Sequence, residues 1–318
     1  MLKIRQSISF LFIKESGCGT ISATIGLRPP SPKKDGQSIA ALESDEVNAT
    51  LETEKKILRI VVKIGTSSLT HDTGRLNLRN MERLARTLAD LKGMGHEIVL
   101  VSSGAIGVGT VKMGLSERPS SLRMKQAAAA VGQCTIMHIY DKLFGEYNRV
   151  VAQILLTGED VDAPVRAEHL HNTFEALLEL GIIPVVNEND SVSSAEIETG
   201  KCKVLGDNDT LSAIVARLVE ADLLVLFSDI DGLYDADPHK NPDAKLIQTV
   251  ASITPELKAL AGGAGTWRGT GGMATKLSAA EVAMAAGVDM VITNGARIED
   301  LYGIVNGEGI GTRFLAKR

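Results

Sequence analysis

The sequence predicts an α/β protein in which helices flank a mainly parallel central sheet. From Ile57 onward, short β-branched apolar runs alternate with longer stretches of helical period. The runs are apolar throughout instead of alternating with polar residues, which is the pattern of strands covered on both faces. A third observation locates the chemistry. Glycine, hydroxyl, amide and acid residues gather just after successive runs, where open parallel sheets bind their ligands.

The predicted strands cover residues 58–64, 97–102, 150–156, 182–186, 223–227 and 290–293. Between the first two, Leu78, Met81, Leu84, Leu88 and Leu91 recur at steps of three and four, behind Asn77 as N-cap; this is an amphipathic helix. A longer helix is expected over 122–147, and its 126–132 segment is small enough for another helix to approach closely. Further helices are expected over 166–180, 210–218 and 274–286. His169 and His171 read as surface residues of one of them, because no Cys or His at ligand spacing accompanies them.

Residues 1–56 differ in kind: Ser/Thr/Gly-rich, with Pro29-Pro30 and an acidic stretch over 43–54, they read as a poorly ordered extension before one domain over 57–318. Lys3, Arg5 and Lys14 among apolar residues give 1–20 the composition of an organelle-targeting peptide, the alternative to a cytoplasmic chain with a non-conforming tail.

Composition excludes several classes. A 44% hydrophobic content excludes disorder, and Cys18, Cys134 and Cys202, with no C-x-x-C, exclude a disulfide scaffold. A net charge of −5 gives no whole-surface attraction to nucleic acid, and no apolar run approaches the ~20 residues of a membrane span.

The strand ends carry Lys63-Ile64-Gly65-Thr66-Ser67-Ser68, Ser102-Ser103-Gly104-Ala105, Asn187-Glu188-Asn189-Asp190 and Ser228-Asp229-Ile230-Asp231-Gly232, with Gly206-Asp207-Asn208-Asp209-Thr210 opening a helix. Any one of them could be only a turn or a cap. Lys63 resists that reading, because a lysine inside a buried strand needs a counter-charge or an anionic ligand. The second basic element, Gly269-Thr270-Gly271-Gly272-Met273-Ala274-Thr275-Lys276, opens a helix behind flexible glycines, a setting that favours phosphate. Neither a Walker A loop nor a G-x-G-x-x-G fingerprint occurs, so the two lysines point to phosphoryl transfer on another scaffold. Asp229, Asp231, Asp235 and Asp237 lack EF-hand spacing, and a turn under a nucleotide base is expected there instead.

In that order these motifs closely resemble the glutamate 5-kinases of the amino-acid kinase superfamily, from about Ile57 to Phe314. The resemblance implies the three-layer sandwich of that fold. It also implies ATP- and Mg²⁺-dependent phosphorylation of the γ-carboxylate of L-glutamate, the first step of proline biosynthesis. Carried over by motif, Lys63 and Lys276 would neutralise the transferring phosphoryl group and Asp209 would hold both lysines. Ser103, Gly104, Asp190 and Asn208 would bind glutamate. Ser228 and Asp229, with Thr270, Gly271, Gly272, Met273, Ala274, Thr275 and the two lysines, would contact ATP. No protein metal ligands are expected, since phosphate oxygens would hold Mg²⁺. The resemblance further implies a cytoplasmic homo-oligomer, dimer or tetramer, with L-proline a candidate feedback inhibitor and neither nucleic acid nor membrane a partner. The chain is similar to the form without a C-terminal PUA domain. It departs from the pattern in a longer 197–205 segment, expected to lengthen a hairpin beside the glutamate site, and in Ser228, where a threonine is expected.

Overall fold

In a computed structural model of the chain, residues 56–192, 207–236, 238, 241, 243–261 and 272–317 are described, all within the unit Lys56–Arg318. The targeting-like segment, the 197–205 insertion, Asp237, Gly206, Thr270 and Gly271 lie outside the described residues.

The strands are β1 (Arg59–Ile64), β2 (Glu97–Ser102), β3 (Val151–Leu156), β4 (Ile183–Glu188), β5 (Leu223–Ser228), β6 (Thr249–Val250), β7 (Asp289–Asn294) and β8 (Thr312–Phe314). They form one sheet in the order β3-β4-β2-β1-β5-β7-β8-β6. Every pairing is parallel except β7 with β8. The six long strands fall within two residues of the predicted bounds. β6 and β8, two and three residues long, carry no pattern of their own.

Period-two alternation splits β1 between two cores. Ile60, Val62 and Ile64 face the layer built by α2 (Leu78–Gly93), α3 (Ala105–Lys112), α4 (Leu122–Gly145) and α10 (Asp300–Val305). Val61 faces the layer of α6 (Pro164–Glu179), α7 (Asn208–Leu218) and α9 (Met273–Ala285). Two helical layers around one sheet are the expected sandwich. Short α1 (Thr66–Leu69), α5 (Gly158–Asp162) and α8 (Pro255–Ala261) complete the described elements.

The α2 prediction holds in detail. Met81, Leu84, Leu88 and Leu91 are fully or almost fully buried, and the Asn77 side chain accepts a hydrogen bond from Asn80 N at 3.1 Å. Leu78 departs from the stripe: it begins the helix, ahead of the turn that packs on the sheet, and is 53% exposed. The small residues of α4 serve close approach. A Cβ on Gly132 would stand 1.8 Å from the Ala105 carbonyl oxygen, and one on Gly109 would stand 1.7 Å from that of Ala128, so α3 and α4 touch backbone to backbone. His169 is exposed on α6, and His171 Nδ1 lies 3.0 Å from the Leu218 carbonyl. Among the described residues, no helix is long and apolar enough to cross a membrane.

Candidate active site

Lys63 lies on β1 in register with Val101 of β2 and Leu226 of β5, near the carboxyl ends of the central strands. Alternation puts its side chain on the face of Val61, toward α7 and α9. There it meets Asp209, in the first turn of α7, with Lys63 Nζ 2.6 Å from Asp209 Oδ1. Lys276, on the first turns of α9, approaches the other carboxylate oxygen, its Nζ 3.2 Å from Oδ2. The three residues are 8%, 2% and 6% exposed for Lys63, Asp209 and Lys276. Burial would drive the Asp209 carboxyl upward, but the Lys63 and Lys276 ammonium groups outweigh it and hold it below the ordinary aspartate value. Two cations and one anion leave the triad a net charge of +1.

The local sequence fixes Asp209. Asp207 caps α7, with Oδ1 accepting from Asp209 N at 2.8 Å and Thr210 N at 2.9 Å, so the helix start is locked where the carboxylate must stand. Thr275 Oγ1 is 3.2 Å from Asp209 Oδ2 and 2.8 Å from the Gly272 carbonyl, tying the start of α9, with Met273 and Ala274, to the same point. Gly272 is the N-cap of α9, so Lys276 stands near the positive end of that helix's dipole.

A second cluster lies beside the first. Gly104 holds φ +94°, a left-handed conformation that glycine adopts without strain, and turns β2 into α3. Next to it Ser103 Oγ accepts from Asn208 Nδ2 at 2.7 Å; the same nitrogen lies 3.1 Å from the Ser102 carbonyl and 3.1 Å from Asn187 Oδ1. Asn187 Nδ2 donates to Gln133 Oε1 at 2.9 Å, and Ser102 Oγ is 3.1 Å from the Tyr140 hydroxyl. Burial pushes the Tyr140 phenol well above its ordinary pKa, so it stays a neutral hydroxyl. Asp190 follows β4, two residues past its end.

Ser228 ends β5, nearly buried, and its Oγ donates to Asp229 Oδ1 at 3.1 Å. Of the described acids beyond it, Asp231 accepts from Asn294 and Arg297, and Asp235 Oδ1 accepts from Lys245 N. Among the described residues no group of three or more His, Cys, Asp or Glu could hold a metal ion.

The structure thus brings Lys63, Asp209, Lys276 and Thr275 together, with Ser103, Gly104 and Asn208 adjacent. Asn187, Asp207 and Gln133 belong to the same network and are not among the expected site residues. Asn187 and Asp207 stand in the motifs quoted from the sequence without a role of their own; Asn187 lies inside β4, which runs on through Glu188 past the predicted end at 186. Gln133 carried a weak signal: it is a polar residue directly after the glycine of the close-approach segment.

The sequence profile of the amino acid kinase family matches residues 58–294. This chain belongs to that family. Among its relatives, the kinase is 56% identical over 260 residues to the glutamate 5-kinase of Clostridium perfringens, covering 82% of this chain and 96% of that one. It is 52% identical over 267 residues to the glutamate 5-kinase of Listeria monocytogenes, covering 84% and 96%. The kinase fold is similar to that of Giardia lamblia carbamate kinase bound to AMP-PNP, with TM-score 0.58, 15% identity, and 83% and 100% of the two chains covered. It is likewise similar to UMP kinase from Bacillus anthracis, with TM-score 0.55, 15% identity, and 83% and 98% covered. At that identity the solved structures speak to the fold alone.

Proposed function

We propose that the chain is a glutamate 5-kinase, which transfers the γ-phosphoryl group of ATP to the γ-carboxylate of L-glutamate, the first step of proline biosynthesis. The observation that carries this reading is the pair of buried lysines, from segments more than two hundred residues apart, converging on one aspartate at the carboxyl end of the sheet. The acceptor is already an anion at neutral pH, so no base is required. What must be overcome is repulsion between a carboxylate and a phosphoryl group.

A γ-carboxylate oxygen forms a bond to the γ-phosphorus as the bond from that phosphorus to the β–γ bridging oxygen breaks, and the electron pair leaves with ADP. Lys63 and Lys276 balance the charge on the transferring group. Asp209 holds both ammonium groups in place at the cost of one of their two charges, so the remaining +1 faces the anions. Ser103 and the amides beside Gly104 receive a carboxylate of glutamate, Asp190 its α-ammonium, and Asn208 orients Ser103. Ser228, Asp229 and the 270–276 segment contact ATP. Mg²⁺ carried on ATP would be held by phosphate oxygens and would supply further charge neutralisation.

The domain is residues 57–318, with 1–56 an extension outside it. The working protein is a cytoplasmic homo-oligomer, dimer or tetramer, and neither a membrane nor a nucleic acid is its partner. L-Proline, which offers the same α-carboxylate and an ammonium, is the feedback inhibitor expected at the glutamate subsite.

Incubation with ATP, Mg²⁺, glutamate and hydroxylamine should trap γ-glutamyl hydroxamate, and folded protein that forms none overturns the proposal. N-acetylglutamate in the same assay should be a poor acceptor, because Asp190 faces an ammonium and not an amide.

A further inference from the structure

We propose that Gln133, on α4, is a positioning residue for the glutamate subsite, acting through Asn187 and Asn208 on Ser103. The inference rests on the reading above and deepens it, because α4 is not among the elements that reading uses.

The directions of the hydrogen bonds determine one another. A backbone carbonyl only accepts, so the Ser102 carbonyl requires Asn208 to present its NH₂ group. The same NH₂ group then meets Ser103 Oγ and Asn187 Oδ1. Asn187 is thereby fixed with its oxygen toward Asn208 and its own NH₂ group toward α4, where Gln133 Oε1 accepts it. At the near end, Ser103 Oγ is used as an acceptor, so its proton is left to donate to a carboxylate. At the far end, Gln133 Nε2 is buried with no acceptor among the described residues. An apolar side chain of equal length would avoid that unpaired donor, so packing alone does not explain a glutamine here.

The fold brings Gln133 to this position. Gly132 lets α4 press on α3 at the Ala105 carbonyl, one residue after Gly104, and the next side chain, 7% exposed, then reaches Asn187 at the end of β4. Asn187 and Gln133 lie on the α4 side of the sheet, whereas Asn208 opens α7 on the other side. The relay therefore crosses over the strand ends and holds Ser103 from both layers.

Without an acceptor at position 133, Asn187, itself 2% exposed, would be left with a buried unpaired NH₂ group. Nothing on the α4 side would then hold the amide in the orientation that accepts from Asn208, and Ser103 would lose its orientation. The prediction is a specific kinetic pattern in the full chain, read by hydroxamate formation. Gln133→Met, close to isosteric, should raise the glutamate KM about tenfold while the ATP KM stays within about twofold. Gln133→Glu should restore the glutamate KM to within about threefold of wild type, because in either protonation state it offers an oxygen to Asn187. Should the Met variant not fold, Gln133→Ala removes the same acceptor by truncation and carries the same expectation.

In a Ser103→Ala background the Met substitution should add less than about twofold to the glutamate KM, since the relay then has nothing to orient. An unchanged glutamate KM in the variants lacking the acceptor overturns the proposal, as does an equal rise in both backgrounds. So does a Glu variant as impaired as Met with both KM values shifted, which would assign Gln133 to packing. Wild-type protein that forms no hydroxamate removes the kinase reading and this inference together, whereas active wild type with a silent Gln133→Met removes only the inference.

Discussion

Asp209 is the single carboxylate on which both lysines depend, and three substitutions separate its roles. Lys276→Ala leaves Asp209 paired with Lys63 at 2.6 Å, so the fold survives while one charge facing the phosphoryl group is lost. A fall in kcat of about 10²-fold or more is expected with an unchanged circular dichroism spectrum. Asp209→Asn removes the carboxylate that two buried ammonium groups share and should cost about 3–5 kcal/mol, a larger loss of Tm than in either Lys63→Ala or Lys276→Ala. The carboxyl also sets a pH dependence. Its pKa in the folded chain lies below the reference value of 3.8, so its stabilisation is complete above that value and is lost as pH falls through the depressed one. Thermal unfolding followed from neutral pH down into that acid range should show a component in wild type that Asp209→Asn lacks.

At the scale of elements, contact between α3 and α4 joins stability to the site. A Cβ at Gly132 meets backbone, which has no flexible end to move aside, so Gly132→Val must separate the helices. A loss of about 2 kcal/mol or more is expected, which for a domain of this size is roughly 4–8 °C in Tm. Because α3 starts from Gly104 beside Ser103, the same variant should raise the glutamate KM, measured alongside the unfolding curve. The α2 helix offers a contrast: its stripe packs on the sheet face away from Lys63, so it supports the sheet without touching the triad.

The whole molecule separates stability from chemistry along the strand direction. At the amino ends of the strands, opposite the lysines, Arg59 gathers Glu97 at 2.7 Å, Glu175 at 2.5 and 3.1 Å and the Val219 carbonyl at 2.6 Å, binding β1, β2, α6 and the end of α7. The network is partly solvated, so Arg59→Met should cost about 1–3 kcal/mol, with no change in either KM. A Tm that falls together with a rising glutamate KM in this variant would contradict that separation.

The sequence by itself determined the class of fold, the six long strands, the main helices, the lysine that does not belong in an apolar strand, Lys63, and the one at a glycine-rich helix start, Lys276. These follow from local rules: the period of apolar residues, the cap at Asn77, and the expense of burying a charge without a partner. Through the family resemblance the sequence motifs also offered Asp209, Ser103, Gly104 and Asn208 as candidates. Only the tertiary structure decided which oxygen of Asp209 meets which lysine and that Gln133 reaches Asn187. Those contacts join residues dozens to more than a hundred positions apart, and no local periodicity records them. They also depend on how closely two helices approach, and that distance is fixed by the missing side chains of Gly109 and Gly132 once α3 and α4 are packed together.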